Sequence, residues 1–130
     1  FVRSPVAHGR IVAIDAAEAQ AQPGVLAVHT GAELAAAGVK PIPLAPAMKR
    51  PDGRPMTAAP RRALAHEKVH CVGEPVALVV AETRAAAKAA AALVQVEYEE
   101  LPAVTDPLRA LQPDAPRVVD GLPDNVCAQV

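Results

Sequence analysis

Cys71-Val72-Gly73-Glu74-Pro75-Val76-Ala77-Leu78-Val79-Val80-Ala81-Glu82-Thr83 decides the fold. A tight Gly-Glu-Pro turn runs into six apolar residues and then into Thr83, a residue suited to start a helix. An apolar run of this length, without polar alternation, predicts a strand covered on both faces. After Thr83 comes a nearly pure alanine segment with Arg84 and Lys88 on one side and Ala86, Ala89, Ala90 and Leu93 on the other. That spacing predicts a helix whose small face packs closely on a sheet. Beyond it Val94, Val96 and Tyr98 alternate with Gln95, Glu97 and Glu99, the pattern of a strand with one wet face. The intervening 81–93 is long enough for a right-handed parallel crossover, so a βαβ unit is expected here.

Working back from this unit, a similar half precedes it. Arg10 to Ile14 is a β-favouring run, and Asp15 with Glu18 has the spacing of a capping box for a helix over Ala16 to Gln22. Pro23-Gly24 stops that helix, and Val25 to His29 reads as a second strand. Thr30 with Glu33 repeats the capping-box signal before Ala32 to Ala37, and Gly38 suits the left-handed position that ends a helix. The expected fold class is therefore α/β, bordering on α+β, with two short βαβ-like halves. Between the halves, 41–60 holds six prolines and the turn Pro51-Asp52-Gly53, which predicts an ordered surface loop with Leu44, Met48 and Met56 packed on a larger parent protein. After Pro102 the prolines at 107, 113, 116 and 123 predict an extended carboxy-terminal tail with one turn of helix over Leu108 to Leu111.

Bulk properties exclude several functions. The 130 residues are 52% apolar and 21% charged, enough for one globular core, and no apolar run approaches a membrane span. Thirteen basic against fourteen acidic residues, with 2% aromatics, provide neither a field for phosphates nor a platform for bases, so nucleic acid is not an expected partner. Cys71 and Cys127 stand far apart and outside any C-x-x-C spacing, which indicates a reduced, cytoplasmic setting. The start at Phe1 indicates a piece of a longer polypeptide with a truncated amino-terminal edge. The expected division is a domain over residues 1–106 followed by a linker over 107–130.

His66-Glu67-Lys68-Val69-His70 matches H-E-x-x-H, in which two His one helical turn apart hold zinc and the Glu activates water. That chemistry requires a helix, because residues i and i+4 of a strand lie about 13 Å apart. Gly73 and Pro75 follow almost at once, so a short strand through Val69 and Cys71 competes with the helix. A third ligand would have to come from Glu74, Glu82 or Glu97, none of which is marked out. His8 as a proton shuttle and Glu97, Glu99 and Glu100 as acid-base carboxylates are set against a turn residue and a solvated strand face. Neither a phosphate-binding glycine loop nor a Gly-x-Ser-x-Gly elbow occurs.

Taken with Phe1-Val2-Arg3-Ser4-Pro5-Val6-Ala7-His8-Gly9-Arg10-Ile11 and Val96-Glu97-Tyr98-Glu99-Glu100-Leu101-Pro102-Ala103-Val104, the Cys71–Thr83 stretch resembles the a/b hammerhead domain of molybdenum hydroxylase large subunits. Those are the xanthine dehydrogenase, aldehyde oxidase and aerobic carbon monoxide dehydrogenase superfamily. Pro51 to Met56 and Val72 to Val76 look closer to the bacterial carbon monoxide dehydrogenase-like branch. The resemblance implies a parent oxidoreductase that uses molybdopterin, with iron-sulfur clusters and FAD in the complex. Its partners would be the remaining domains of the large subunit and the iron-sulfur and flavin subunits or domains. It also implies that this segment is a scaffold and interface with no catalytic, cofactor-binding or metal residue, the Gly73-Glu74-Pro75 turn being the expected interdomain contact. A small zinc hydrolase using His66, Glu67 and His70, or a stand-alone interaction module, are the alternatives.

Overall fold

A computed structural model describes residues 1–43, 48–56 and 60–128. They divide into two compact units, 1–40 with 62–101 and 41–61 with 102–130.

In the first unit the strands are β1 (Val2–Arg3), β2 (Gly9–Asp15), β3 (Val25–Thr30), β4 (Lys68–Val69), β5 (Pro75–Ala81) and β6 (Gln95–Glu100). The helices are α1 (Ala17–Gln20), α2 (Gly31–Ala36) and α3 (Arg84–Ala91). The strands form two three-stranded antiparallel sheets, ordered β1-β5-β3 and β4-β2-β6. The alternation of strand and helix holds, but the parallel crossover predicted for 81–93 does not. Strands β5 and β6 lie in different sheets, and α3 carries the chain from one to the other. Helix α1 does the same between β2 and β3. The reason lies in β6: Gln95, Glu97 and Glu99 give it one wet face, which suits an antiparallel sheet open to water rather than a parallel sheet covered on both sides. The ladders thus set this α/β domain at its α+β border.

Two apolar clusters occupy the unit. Ala19, Val28, Ala77, Val79, Ala90 and Val94 bring α1 and α3 onto one face of the first sheet, with alanines allowing the close approach. Ala65, Val69 and Val76 form the second cluster, joined by Val2, Val6, Ile11, Val96 and Tyr98. Val69 and Val76 are fully buried, each worth about 1.5–3 kcal/mol relative to exposure.

Thr30 and Glu33 form the expected capping box, and Thr83 accepts the Ala86 amide. Asp15 instead ends β2, its carboxylate taking the Ala17 amide at 2.9 Å, and Ala16 stands at the helix start without a side-chain cap. On α3 the inner residues include Ala86 and Ala90, whereas Ala89 faces solvent. Gly31 is packed so closely that a Cβ there would lie 1.9 Å from the Ala65 carbonyl oxygen.

The second unit is held by side chains rather than ladders. Single bridges join Ile42 to Arg61 and Lys49 to Pro55. The Arg50 guanidinium is buried, donates to Asp124 at 2.7 Å and to the Val126 carbonyl, and has Asp52 at 3.8 Å. Asn125 accepts the Val118 amide and donates to the carbonyls of Ala110 and Pro116. Helix α4 (Pro107–Ala110) begins on the Asp106 carboxylate, at the place predicted for a turn of helix. Of the apolar loop residues, Met48 is exposed and Met56 partly covered, while Leu44 lies outside the described residues.

Candidate functional site: the turn at residues 73–75 and its histidines

The turn that opens β5 is built from its own residues. The Glu74 amide donates to the Cys71 carbonyl at 3.3 Å, closing a four-residue turn with Val72 at its exposed tip. Gly73 occupies the third position at φ +86°, a conformation that a Cβ would strain. Pro75 then enters the strand.

The amino-terminal segment grips this turn from the side. Ser4 donates its amide to the Glu74 carbonyl at 2.9 Å and accepts the Gly73 amide at 2.8 Å. Arg3 donates from its guanidinium to the Gly73 carbonyl at 2.7 Å. Ser4 is 2% exposed, and its hydroxyl bonds the Val6 backbone in a local turn. Pro75 adds a fourth tie, its carbonyl accepting the Ala65 amide at 2.7 Å. Gly73, Glu74 and Pro75 therefore sit in one rigid backbone network.

Glu74 also reaches backwards. Its carboxylate accepts the His70 amide at 2.6 Å and lies 3.6 Å from the His70 ring Nδ1. Burial pushes the Glu74 carboxyl up, but the bonds and charge of His70 with the Cys71 amide outweigh it and hold the group below the usual range. His70 in turn stacks on the buried His8, ring centroids 6.2 Å apart and planes at 26°. The sequence positions explain the stack: Gly9 pairs with Val69 across β2 and β4, so His8 and His70 are the next cross-strand neighbours. Tyr98 belongs to the apolar cluster beneath, where burial pushes its phenol up.

The H-E-x-x-H motif does not form the site its spacing suggests. His66 and Glu67 lie in a bend, Lys68 and Val69 are strand, and His70 turns to His8 and Glu74. His66 is instead beside Glu67, at 3.8 Å. With no helix through 66–70, the two histidines cannot chelate as a zinc hydrolase requires. Glu82 lies at the Gly24 turn and Glu97 on the wet face of β6, away from Glu74. Among the described residues no three His, Cys, Asp or Glu side chains converge as metal donors, and no helix is long and apolar enough to cross a membrane. Glu99 is paired with Arg10 at 2.7 Å across β2 and β6, as a solvated strand face would have it.

Sequence reading missed Arg50, Asp124 and Asn125. The only local hint was the Asp52-Gly53 turn, which Arg54 secures by bonding Asp52 at 2.6 and 2.9 Å.

Residues 1–102, the strands, helices and turn just described, match the family described as "Aldehyde oxidase and xanthine dehydrogenase, a/b hammerhead domain". The chain belongs to this family. Among relatives of this hammerhead domain, the carbon monoxide dehydrogenase large chain of Afipia carboxidovorans is 42% identical, over 97% of this chain and 14% of that protein. A xanthine dehydrogenase molybdenum-binding subunit of Escherichia coli O157:H7 is 40% identical, over 93% of this chain and 16% of that protein. The solved structure of quinoline 2-oxidoreductase from Pseudomonas putida 86 superposes with a TM-score of 0.79 at 47% identity, covering 97% of this chain and 15% of that one. The hammerhead domain thus spans about one seventh of the length of the curated relatives it matches.

Proposed function

We propose that this hammerhead domain is a structural and assembly module of the large subunit of a molybdopterin-dependent oxidoreductase. The observation that carries the proposal is the ordered family match over residues 1–102, supported by a relative named as a molybdenum-binding subunit. The parent enzyme would hydroxylate an aldehyde, a purine or another N-heterocycle with oxygen from water, or oxidise carbon monoxide. Molybdopterin supplies that redox chemistry when bound. Among the described residues no three His, Cys, Asp or Glu side chains converge to hold a metal, and the groove beside β3 is lined by Gln20 and Val25 to Val28. No step is therefore assigned to them.

The role of this chain's own residues is to hold shape. The turn Gly73-Glu74-Pro75 is proposed as a contact with neighbouring domains, since four backbone hydrogen bonds and the Arg3 guanidinium fix its place. Residues 1–106 form the hammerhead domain, and 107–130 lead towards the molybdopterin-binding domains. Iron-sulfur and FAD-carrying subunits or domains complete the complex, in the cytoplasm.

Elemental analysis by mass spectrometry of the native protein, captured from its own cells, tests this. Molybdenum together with iron is the expected result. One zinc per chain without molybdenum would overturn it.

A further inference from the structure

The two sheets have four outer edges, and three of them are blunted. Strands β1 and β4 are two residues long each. Strand β6 carries Glu97, Glu99 and Glu100. Shortness and charge are the usual means by which proteins keep edge strands from pairing further. Strand β3 uses neither: Val25-Leu26-Ala27-Val28-His29-Thr30 is six residues without proline, acid, lysine or arginine. It pairs only with β5, and among the described residues no strand lies along its other side.

A bulge, itself a device that turns an edge away, is confined to its start. The register with β5 slips between Val25 and Ala27, which makes Leu26 the extra residue of a bulge and leaves it 65% exposed. Past the bulge, Ala27 to Thr30 stay in regular register. A groove of about 280 Å³ runs beside Val25 to Val28 and is also lined by Gln20 of α1. A row of backbone N–H and C=O groups at ladder spacing selects an extended backbone as its occupant, and an uncharged rim with an exposed leucine selects apolar side chains.

We propose that the free edge of β3 receives an added β-strand, a low-charge extended segment from the part of the full-length large subunit outside residues 1–130. This rests on the function proposed above and names the surface that does the assembling. The source follows from proportion: curated relatives extend far beyond the 14% and 16% that this chain covers, so their own chains hold ample segments within tethered reach. A tethered strand competes well against one from free solution.

The test uses the full-length subunit in its native complex, with the photo-cross-linker p-benzoylphenylalanine in place of Leu26. Irradiation, digestion and mass spectrometry are expected to give one adduct, to a low-charge peptide of the same subunit. In the unsubstituted complex the amides within 27–30 that point away from β5 are expected to exchange with deuterium about 100-fold more slowly than open chain. An adduct to a second copy or to another subunit overturns the proposal, as does rapid exchange of these amides or no adduct at all. Metal content of the same preparation separates the two readings. Molybdenum without the adduct sinks the added strand alone, and the adduct without molybdenum sinks the enzyme reading alone.

Discussion

At the scale of single residues, Gly73 and Asp52 show how a turn is specified. A Cβ at Gly73 would meet no atom within 4 Å, so replacement by alanine is opposed only by its φ of +86°. Gly73→Ala is expected to destabilise the folded chain by about 1–2 kcal/mol, measured by urea unfolding. Asn at the same position should lose less. In the second unit Asp52 titrates at about 2, below its ordinary 3.8, chiefly because the Arg54 side chain and amide bond its carboxylate. Because the folded value is the lower one, this contribution to stability is fully present above pH 3.8 and is lost as the pH falls through about 2. Carboxyl carbon NMR is expected to follow that midpoint, and Arg54→Ala to move it back towards the ordinary value. Such turns were legible in the sequence because glycine, proline and aspartate act on their immediate neighbours. Arg50 was not, since its partners Asp124 and Val126 are 74 and 76 residues away and nothing nearby in sequence marks them.

Among the elements, helix starts separate what local chemistry settles from what packing settles. Thr30 with Glu33 and Thr83 before α3 were readable because both ends of each bond fall within one turn. Asp15 with Glu18 has the same spacing, yet α1 starts one residue later, with Ala16 at its N-cap, and the Asp15 carboxylate takes the Ala17 amide instead of closing a capping box. Gly31 shows packing overriding local preference. In a helix alanine is intrinsically better than glycine by up to about 1 kcal/mol, but here its Cβ would lie 1.9 Å from the Ala65 carbonyl oxygen, backbone that cannot swing away. Gly31→Ala is therefore expected to destabilise by about 3 kcal/mol, read as a fall in thermal midpoint, where propensity alone would raise it. The H-E-x-x-H motif belongs at this scale too. Its residue types were right for zinc, and the strand through Lys68–Val69 removed the geometry.

For the molecule as a whole, the connection between elements was the part that the sequence concealed. Apolar periodicity located the strands, and the order strand, helix, strand was correct in both halves. Periodicity carries no information on which strands become neighbours, and here each half pairs with the other rather than with itself: β2 with β6, and β3 with β5. The candidate turn was legible as a rigid feature for local reasons, whereas its support by Ser4 and the His8–His70 stack came only from this long-range pairing. A consequence can be measured. Peptides 1–40 and 62–101 made separately are expected to be unfolded by circular dichroism, since neither holds a complete sheet, and their mixture is expected to recover strand signal. The interleaving also fixes when this chain can fold as it is made. Strand β2, ending at Asp15, waits for β6, which begins at Gln95. A ribosome adding about 5–20 residues per second needs roughly 4–16 s for the 80 residues between them. During that interval β2 and β3 leave the exit tunnel without their partners, so their apolar residues stay uncovered until β5 and β6 follow.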